Sequence, residues 1–377
     1  MKTVIFLSFT LITFSPNLFG QVSIDNRRLL NESFWSEGSV YGSRDAYTKL
    51  ASRNPSDKES ASISYAEKLM ANNKEIKVIL LIDNGDVVFE KYNDPVVYDS
   101  MLHGYSVTKT ITSFAIGAAI CKKIIDLNEK LGNTNPIFIK TGLENATVKN
   151  LLMMASGTTS ADADSNFKIF QNIIDDYHFN EKSIIEASVK STILQPRKGI
   201  FKNFQPGEIF DYKNSDTAIL GFLLNYKTNL KGSDFVYENV LLNAGINGKV
   251  SLAEDKNKVF FGAYGARMMA HDWGRLAVWS REKIKEDSCM GNYLKEATKT
   301  QISNKEKRFA RWFNGYGYQI WTENSWSKNS YWALGYGGQK IAWNHSNDKI
   351  MVAFSTSENW HPEAARLYEL WSTENSK

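Results

Sequence analysis

Apolar and polar positions alternate in two rhythms along this chain. Lys77-Val78-Ile79-Leu80-Leu81-Ile82 is a β-branched run, Asn84-Gly85 is a tight-turn pair, and Asp86-Val87-Val88-Phe89-Glu90 returns. This pattern predicts a hairpin over 77–90. Strands are also predicted at 317–321, 332–334, 339–343 and 349–355, with a closing helix over 362–371. Helices are predicted between these ends, at 64–73, 108–122, 149–154, 165–194, 215–225, 234–242 and 266–280, with Ser215 as an N-cap. Positions 108–122 are apolar with small residues on several sides, which predicts a buried helix. Residues 21–60 are polar and uneven and read as surface loop or a short helix. Strands at both ends and helices between them predict an α/β (α+β) class, with one antiparallel sheet built from both chain ends and flanked by helices. The expected division is an α/β part at about 21–120 and 315–377, with a mostly helical part at about 121–314 inserted between its halves. No linker and no internal repeat is visible.

The first twenty residues break this rhythm. A short positive start, Met1-Lys2-Thr3, precedes an apolar run from Val4 to Phe14 and then Ser15-Pro16-Asn17-Leu18-Phe19-Gly20. This reads as a signal peptide cleaved after Gly20, because a membrane span needs about 20 apolar residues. The mature chain is expected to be periplasmic or secreted, with no stable membrane span. The chain has 377 residues, 42% hydrophobic and 23% charged, so extended disorder is excluded. A net charge of +4 is too small for a nucleic-acid footprint. Aromatic residues at 13% fit either a large core or an aromatic-lined cleft. There are two cysteines. Cys121 ends the apolar helix, which predicts a buried free thiol; export would permit a bond to Cys289. The five histidines are scattered, with no HExxH and no CxxC, so no metal site and no cofactor is expected.

Three segments carry candidate chemistry. Ser106-Val107-Thr108-Lys109 puts Ser and Lys three apart, on one face at the start of the buried helix. A neutral lysine amine can take the proton of a serine hydroxyl, and burial lowers the lysine pKa toward that role. The helix start offers backbone N–H groups to a developing oxyanion. The same spacing occurs at Ser165, Ser280, Ser325 and Ser346, so what distinguishes Ser106 is its place before the most apolar helix of the mature chain. Tyr212-Lys213-Asn214 lies in a loop after Pro206-Gly207, where Tyr212 can relay a proton and Asn214 can orient the lysine or a substrate. Gly335-Tyr336-Gly337-Gly338-Gln339 is either an ordinary glycine-rich turn or a place where substrate approaches the backbone, with the Gln339 N–H as a second oxyanion donor.

In this order the segments YSVTKTITS, LLMMASG, FQPGEIFDYKNSDTAILG, GARMMAHDWGRLAVW and GYGGQKIAW, after the hairpin LLIDNGDVVFEKY, resemble the serine β-lactamase-like superfamily. The nearest likeness is to its class C β-lactamase / esterase / 6-aminohexanoate-dimer hydrolase branch. The resemblance spans nearly the whole mature chain and implies a β-lactamase/transpeptidase-like fold. It implies Ser106 as acylated nucleophile, Lys109 as base and Tyr212 as acid/base partner. The oxyanion hole would be the N–H groups of Ser106 and Gln339, and Asn214, Tyr336, Gly337 and Gly338 would touch substrate. Tyr336-Gly337-Gly338 stands where β-lactamases and penicillin-binding proteins carry Lys-Thr/Ser-Gly. The cation that holds a substrate carboxylate is therefore missing, and Lys340 is its nearest substitute.

The resemblance and the residues together imply an exported serine hydrolase cleaving an amide or ester of a small molecule or short peptide. Competing readings are a β-lactamase or D-Ala-D-Ala carboxypeptidase, and a non-catalytic penicillin- or peptidoglycan-binding protein. A further one is a Ser-His-Asp hydrolase, for which Gly104-Tyr105-Ser106-Val107-Thr108 lacks the second glycine of the nucleophile elbow. Segments 160–205 and 300–332 are expected to line the cleft. Trp312, Trp321, Trp326, Tyr331 and Trp332 are candidates for an acyl pocket or for plain core.

Overall fold

The hairpin after residue 75 forms, and its turn explains itself. Asn84 and Gly85 have φ of 52° and 89°, the left-handed pair that a two-residue connection needs. The computed structural model describes residues 24–30, 38–160, 183–190, 192–194, 204–304 and 312–373. The expected signal peptide lies outside them. In chain order the strands are β1 Ser39–Tyr41, β2 Ile76–Asp83, β3 Asp86–Tyr92, β4 Leu102–His103, β5 Thr158–Ser160, β6 Thr192–Leu194, β7 Val250–Leu252, β8 Arg267–Met268, β9 Ile302–Ser303, β10 Phe313–Tyr316, β11 Trp321–Asn324, β12 Ser330–Leu334, β13 Lys340–Asn344 and β14 Lys349–Ser355. The α-helices are α1 Asn26–Leu30, α2 Ser60–Asn72, α3 Thr108–Cys121, α4 Leu131–Thr134, α5 Val148–Leu152, α6 Ile184–Lys190, α7 Asn214–Thr228, α8 Gly232–Val236, α9 Ala270–Lys285, α10 Cys289–Ala297 and α11 His361–Thr373.

One sheet of eight strands runs in the order β3-β2-β14-β13-β12-β11-β10-β9, antiparallel at every pairing. Its two halves come from opposite ends of the chain and meet where β2 pairs β14, from Lys349 opposite Asp83 to Ser355 opposite Ile76. Both strands are buried on both faces, which is why each reads as an unbroken apolar run. Val78, Leu80 and Ile82 join a core with Ile111 and Phe114 of α3 and Trp273 of α9. Ile79 and Leu81 join a second core with Met70 of α2 and Trp371 of α11. Each such fully buried Leu or Ile contributes about 1.5–3 kcal/mol, so the covered sheet is the main anchor of the fold.

Several expectations change. Of segment 317–321, residues 317–320 are the turn between β10 and β11 and Trp321 begins β11, because Gln319 is left-handed (φ 59°) and breaks the extended run. Residues 267–268 are a short strand paired with β4, and the helix that follows starts at Ala270 after an extended Met269. Ser215 lies inside α7; the extended residue before that helix is Lys213. Helix 234–242 is two pieces, α8 and a π-turn over Tyr237–Leu241. Most of the expected helix 165–194 lies outside the described residues; of the rest, Ile184–Lys190 is helical and Thr192–Leu194 pairs with Thr158–Ser160. Segment 21–60 is not all surface, since Ile24 and Leu29 are buried in the first core.

The thiol expectation is overturned. Cys121 and Cys289 form a disulfide with Cα atoms 5.7 Å apart, and no described cysteine is free. The helices explain the pairing: Cys121 ends α3, Cys289 begins α10, and Gly117 leaves room for the Tyr293 ring of α10, which an added Cβ would meet at 2.4 Å. Proximity was invisible across 168 residues of sequence.

Candidate active site

Eleven of the fourteen residues of α3 are buried, although its sequence opens Thr-Lys-Thr-Ile-Thr-Ser. A buried polar group must find a partner, and each hydroxyl here does. Thr108 donates to Tyr105 O at 2.6 Å and accepts from Ala266 N–H at 3.0 Å. Thr110 donates to Gln319 O, Thr112 to Gly262 O, and Ser113 shares a hydrogen bond with the Tyr293 hydroxyl. These bonds fix the helix against its surroundings and so fix Lys109.

Lys109 is 1% exposed. Its Nζ lies 3.3 Å from Ser106 Oγ and donates to Asn214 Oδ1 at 2.6 Å and Ala263 O at 2.7 Å. None of these partners is an anion, so nothing repays the burial of charge, and burial pushes the ammonium down to about 7. A neutral amine has two N–H donors and one lone pair. The two close acceptors match those two donors, and Ser106 Oγ is the third oxygen within reach of the nitrogen. The serine is partly exposed and can meet a ligand.

Tyr212 is half-buried and its ring centroid is 5.4 Å from Lys109 Nζ. Its ring stacks on Trp321 at 5.2 Å and meets Tyr316 edge-on. Asn214 opens α7, is partly exposed, and its side-chain oxygen accepts from Lys109. Lys213 points elsewhere. It is buried, pairs with the buried Asp216 at 3.3 Å and donates to Asp211 O. Burial pushes the Asp216 carboxyl up to about 6, while Lys213 and the Ser156 hydroxyl oppose that rise.

Segment 335–339 is the tight turn between β12 and β13, closed by Gly335 N–H donating to Gln339 O. Gly335 and Gly338 are required by the protein's own backbone, while Gly337 faces side-chain ends. A Cβ at Gly335 would meet Gly104 O at 2.6 Å, one at Gly337 the Ile24 side chain at 2.4 Å, and one at Gly338 the Ser357 O at 1.9 Å. The Gln339 side chain is fully buried, accepting from Gly337 N–H and donating to Ser355 O. Tyr336 is half-buried, with its ring 6.2 Å from that of Tyr105, the residue before Ser106. The turn therefore abuts the nucleophile segment. Lys340 is directed elsewhere: it is 3% exposed, its Nζ lies over the Trp360 ring at 5.1 Å, and burial pushes it down to about 8.

A family model described as Beta-lactamase matches residues 67–373. The chain belongs to the β-lactamase family. Similar solved structures include a protein described as a 6-aminohexanoate-dimer hydrolase from Bacillus anthracis, at 16% identity and TM-score 0.70 over 89% of this chain and 90% of that one. An octameric penicillin-binding protein homologue from Pyrococcus abyssi is similar at 17% identity and TM-score 0.62, over 82% and 76%. EstCE1, a hydrolase with promiscuous acyltransferase activity, is similar at 13% identity and TM-score 0.63, over 83% and 98%. No curated protein sequence matches. At these identities the likeness is one of fold, and the fold is β-lactamase/transpeptidase-like.

Within this β-lactamase-family chain, Ala263 and Gln319 escaped sequence reasoning, because Ala263 meets Lys109 through its backbone carbonyl and the contacts of Gln319 lie far away in sequence. The only local signal near Ala263 is Gly262, whose φ of 68° shapes the loop. Of the five candidate pocket aromatics, Trp321 stacks on Tyr212. Trp332 packs among Phe313, His361 and Tyr368, Tyr331 stacks on Trp343, and Trp312 stacks on Trp326. Among the described histidines, His271 is held by Glu90 and Leu50 N–H, and His103 stands edge-on to the Tyr105 ring. The partner of Ser106 Oγ is Lys109. Among the described residues no three His, Cys, Asp or Glu side chains are grouped to hold a metal ion, and no helix is long and apolar enough to cross a membrane.

Proposed function

We propose that this chain is an exported serine hydrolase that cleaves an ester or amide through an acyl-enzyme on Ser106. Ser106 Oγ attacks the substrate carbonyl and its proton passes to the neutral Lys109 amine. The N–H groups of Ser106 and Gln339 hold the oxyanion. The C–X bond then breaks, and Tyr212 with Lys109 returns the proton to the leaving group. Water, activated by the same pair, releases the acid and restores Ser106. The observation that carries this reading is a buried lysine with two neutral acceptors and a serine oxygen, which is the environment of a base rather than of a fixed cation. Export is supported by the leader-like first twenty residues and by a disulfide, which persists in oxidising compartments.

A β-lactamase or D-Ala-D-Ala carboxypeptidase is the second reading. Against it, Tyr336 offers a phenol where a substrate carboxylate would want a cation, and Lys340 is taken up beneath Trp360. A lost charge-assisted hydrogen bond costs about 1.5–3 kcal/mol, or roughly ten- to a hundredfold in kcat/KM. A non-catalytic binding protein would not need the Ser106–Lys109 arrangement.

The test is labelling with a fluorophosphonate followed by peptide mass spectrometry, alongside a panel of p-nitrophenyl esters, short amide oligomers and nitrocefin. The adduct is expected on Ser106, with labelling and turnover absent in Ser106→Ala. An adduct on another serine overturns the assignment. Nitrocefin outrunning every ester and amide would make the chain a β-lactamase.

A further inference from the structure

The turn between β10 and β11 holds a residue that hydrogen-bonds to three helices around the proposed chemistry, α3, α5 and α7. Gln319 is 2% exposed and left-handed, so its backbone and side chain point to different neighbours. Its N–H donates to Leu152 O at 2.9 Å, and its Nε2 donates to Leu151 O at 2.9 Å and Leu152 O at 3.1 Å. These bonds pin the end of α5. Two residues further on, Met154 O accepts from Asp211 N–H at 2.8 Å, which fixes the approach to Tyr212.

The other contacts reach the two helices that hold the base. Gln319 Oε1 accepts from Thr217 Oγ1 at 2.7 Å; Thr217 is in α7, three residues after Asn214. Gln319 O accepts from Thr110 Oγ1 at 3.1 Å; Thr110 follows Lys109 in α3. On the strand that leaves the turn, Trp321 stacks on the Tyr212 ring. Hydrogen-bonded side chains that are fully buried have few alternative arrangements, so this one residue ties three elements in a single geometry.

We propose that Gln319 is a positioning residue for acylation, setting α3, α7 and the Tyr212 loop relative to one another so that Asn214 holds the Lys109 amine toward Ser106. This rests on the hydrolase reading above. Gln319 touches neither substrate nor the reacting atoms, and it acts through Thr110, Thr217 and Met154. A displacement of about 1 Å in such a site can cost on the order of a hundredfold in rate.

The test measures the labelling rate per reactive molecule, which loss of folded protein does not change. In Gln319→Ala the backbone strain is the same as in the parent, since both residues carry a Cβ. We expect labelling to reach full stoichiometry, with its rate constant and kcat both down about ten- to a hundredfold and KM within about threefold. Thr217→Val and Thr110→Val each remove one arm and keep the shape, and each should give a smaller fall of the same kind. If Gln319→Ala does not fold, the two valine variants decide the matter. Wild-type labelling rates in the folded variants overturn the proposal. So does a lower labelled fraction at an unchanged rate, the signature of a merely structural role. Labelling that persists in Ser106→Ala instead overturns the hydrolase reading itself, whatever the Gln319 variants do.

Discussion

Lys109 and Lys349 are each 1% exposed, yet they sit in opposite surroundings. Lys349 lies 2.6 Å from Glu59 and 3.3 Å from Asp83, with its Nζ 3.8 Å above the Trp371 ring. Arg53 binds both carboxylates and, with Lys349, holds Glu59 well below the usual carboxylate range. Because the folded form binds a proton less readily there, the cluster stabilises the fold above the ordinary glutamate value of 4.5. That contribution is lost as pH falls. Lys109 has two neutral oxygens and a serine instead. Burial is common to both lysines. The presence of an anion makes one a structural cation, and its absence leaves the other free to lose its proton near neutrality.

Removing Lys109 should break the comparison most visibly. Lys109→Ala is expected to lower kcat by about 10²–10⁴, the usual contribution of an acid–base group, with a smaller change in KM. A near-normal kcat in steady-state assays would end the mechanism. Next comes an attempt to make Lys109 resemble Lys349. Asn214→Asp puts a carboxylate 2.6 Å from Nζ, which should raise the lysine pKa by about one unit or more. In the parent, kcat/KM for an uncharged ester should rise with pH to a midpoint near 7, because the neutral amine is the active form. In the variant that limb should move up, with activity at pH 7 down at least about fivefold and regained at higher pH. Coincident pH profiles would show that the charge on Lys109 does not set the limb. The smallest effect on turnover belongs to Lys349→Met. It should leave kcat within about twofold while lowering unfolding stability in denaturant titrations by about 1.5–3 kcal/mol, the cost of one lost charged hydrogen bond, since Glu59 keeps Arg53.

The difference between these lysines also marks what could be read in the sequence. The hairpin, the strands of the C-terminal sheet and the buried helix after Ser106 announce themselves by period and composition, and Ser106, Lys109, Tyr212 and Asn214 stand in short local motifs. Which lysines meet anions depends on contacts across long separations, such as Lys349 with Glu59, 290 residues away. The same holds for Lys213, the middle residue of Tyr212-Lys213-Asn214, whose charge meets Asp216. Gln319 looked like mid-strand because its neighbours are Gly, Tyr, Ile and Trp. Its left-handed backbone is set by the α5 and α7 contacts, not by its own type.

The bond between Cys121 and Cys289 turns the intervening chain into a covalent ring. Tyr212, Asn214 and Ala263 lie inside that ring, while Ser106 and Lys109 hang from its first link. A single cut anywhere within the ring therefore leaves one molecule, whose pieces part only when a reductant is added. With two cysteines in the whole chain there is a single intramolecular pairing to find, so oxidative maturation has no scrambled isomer to correct.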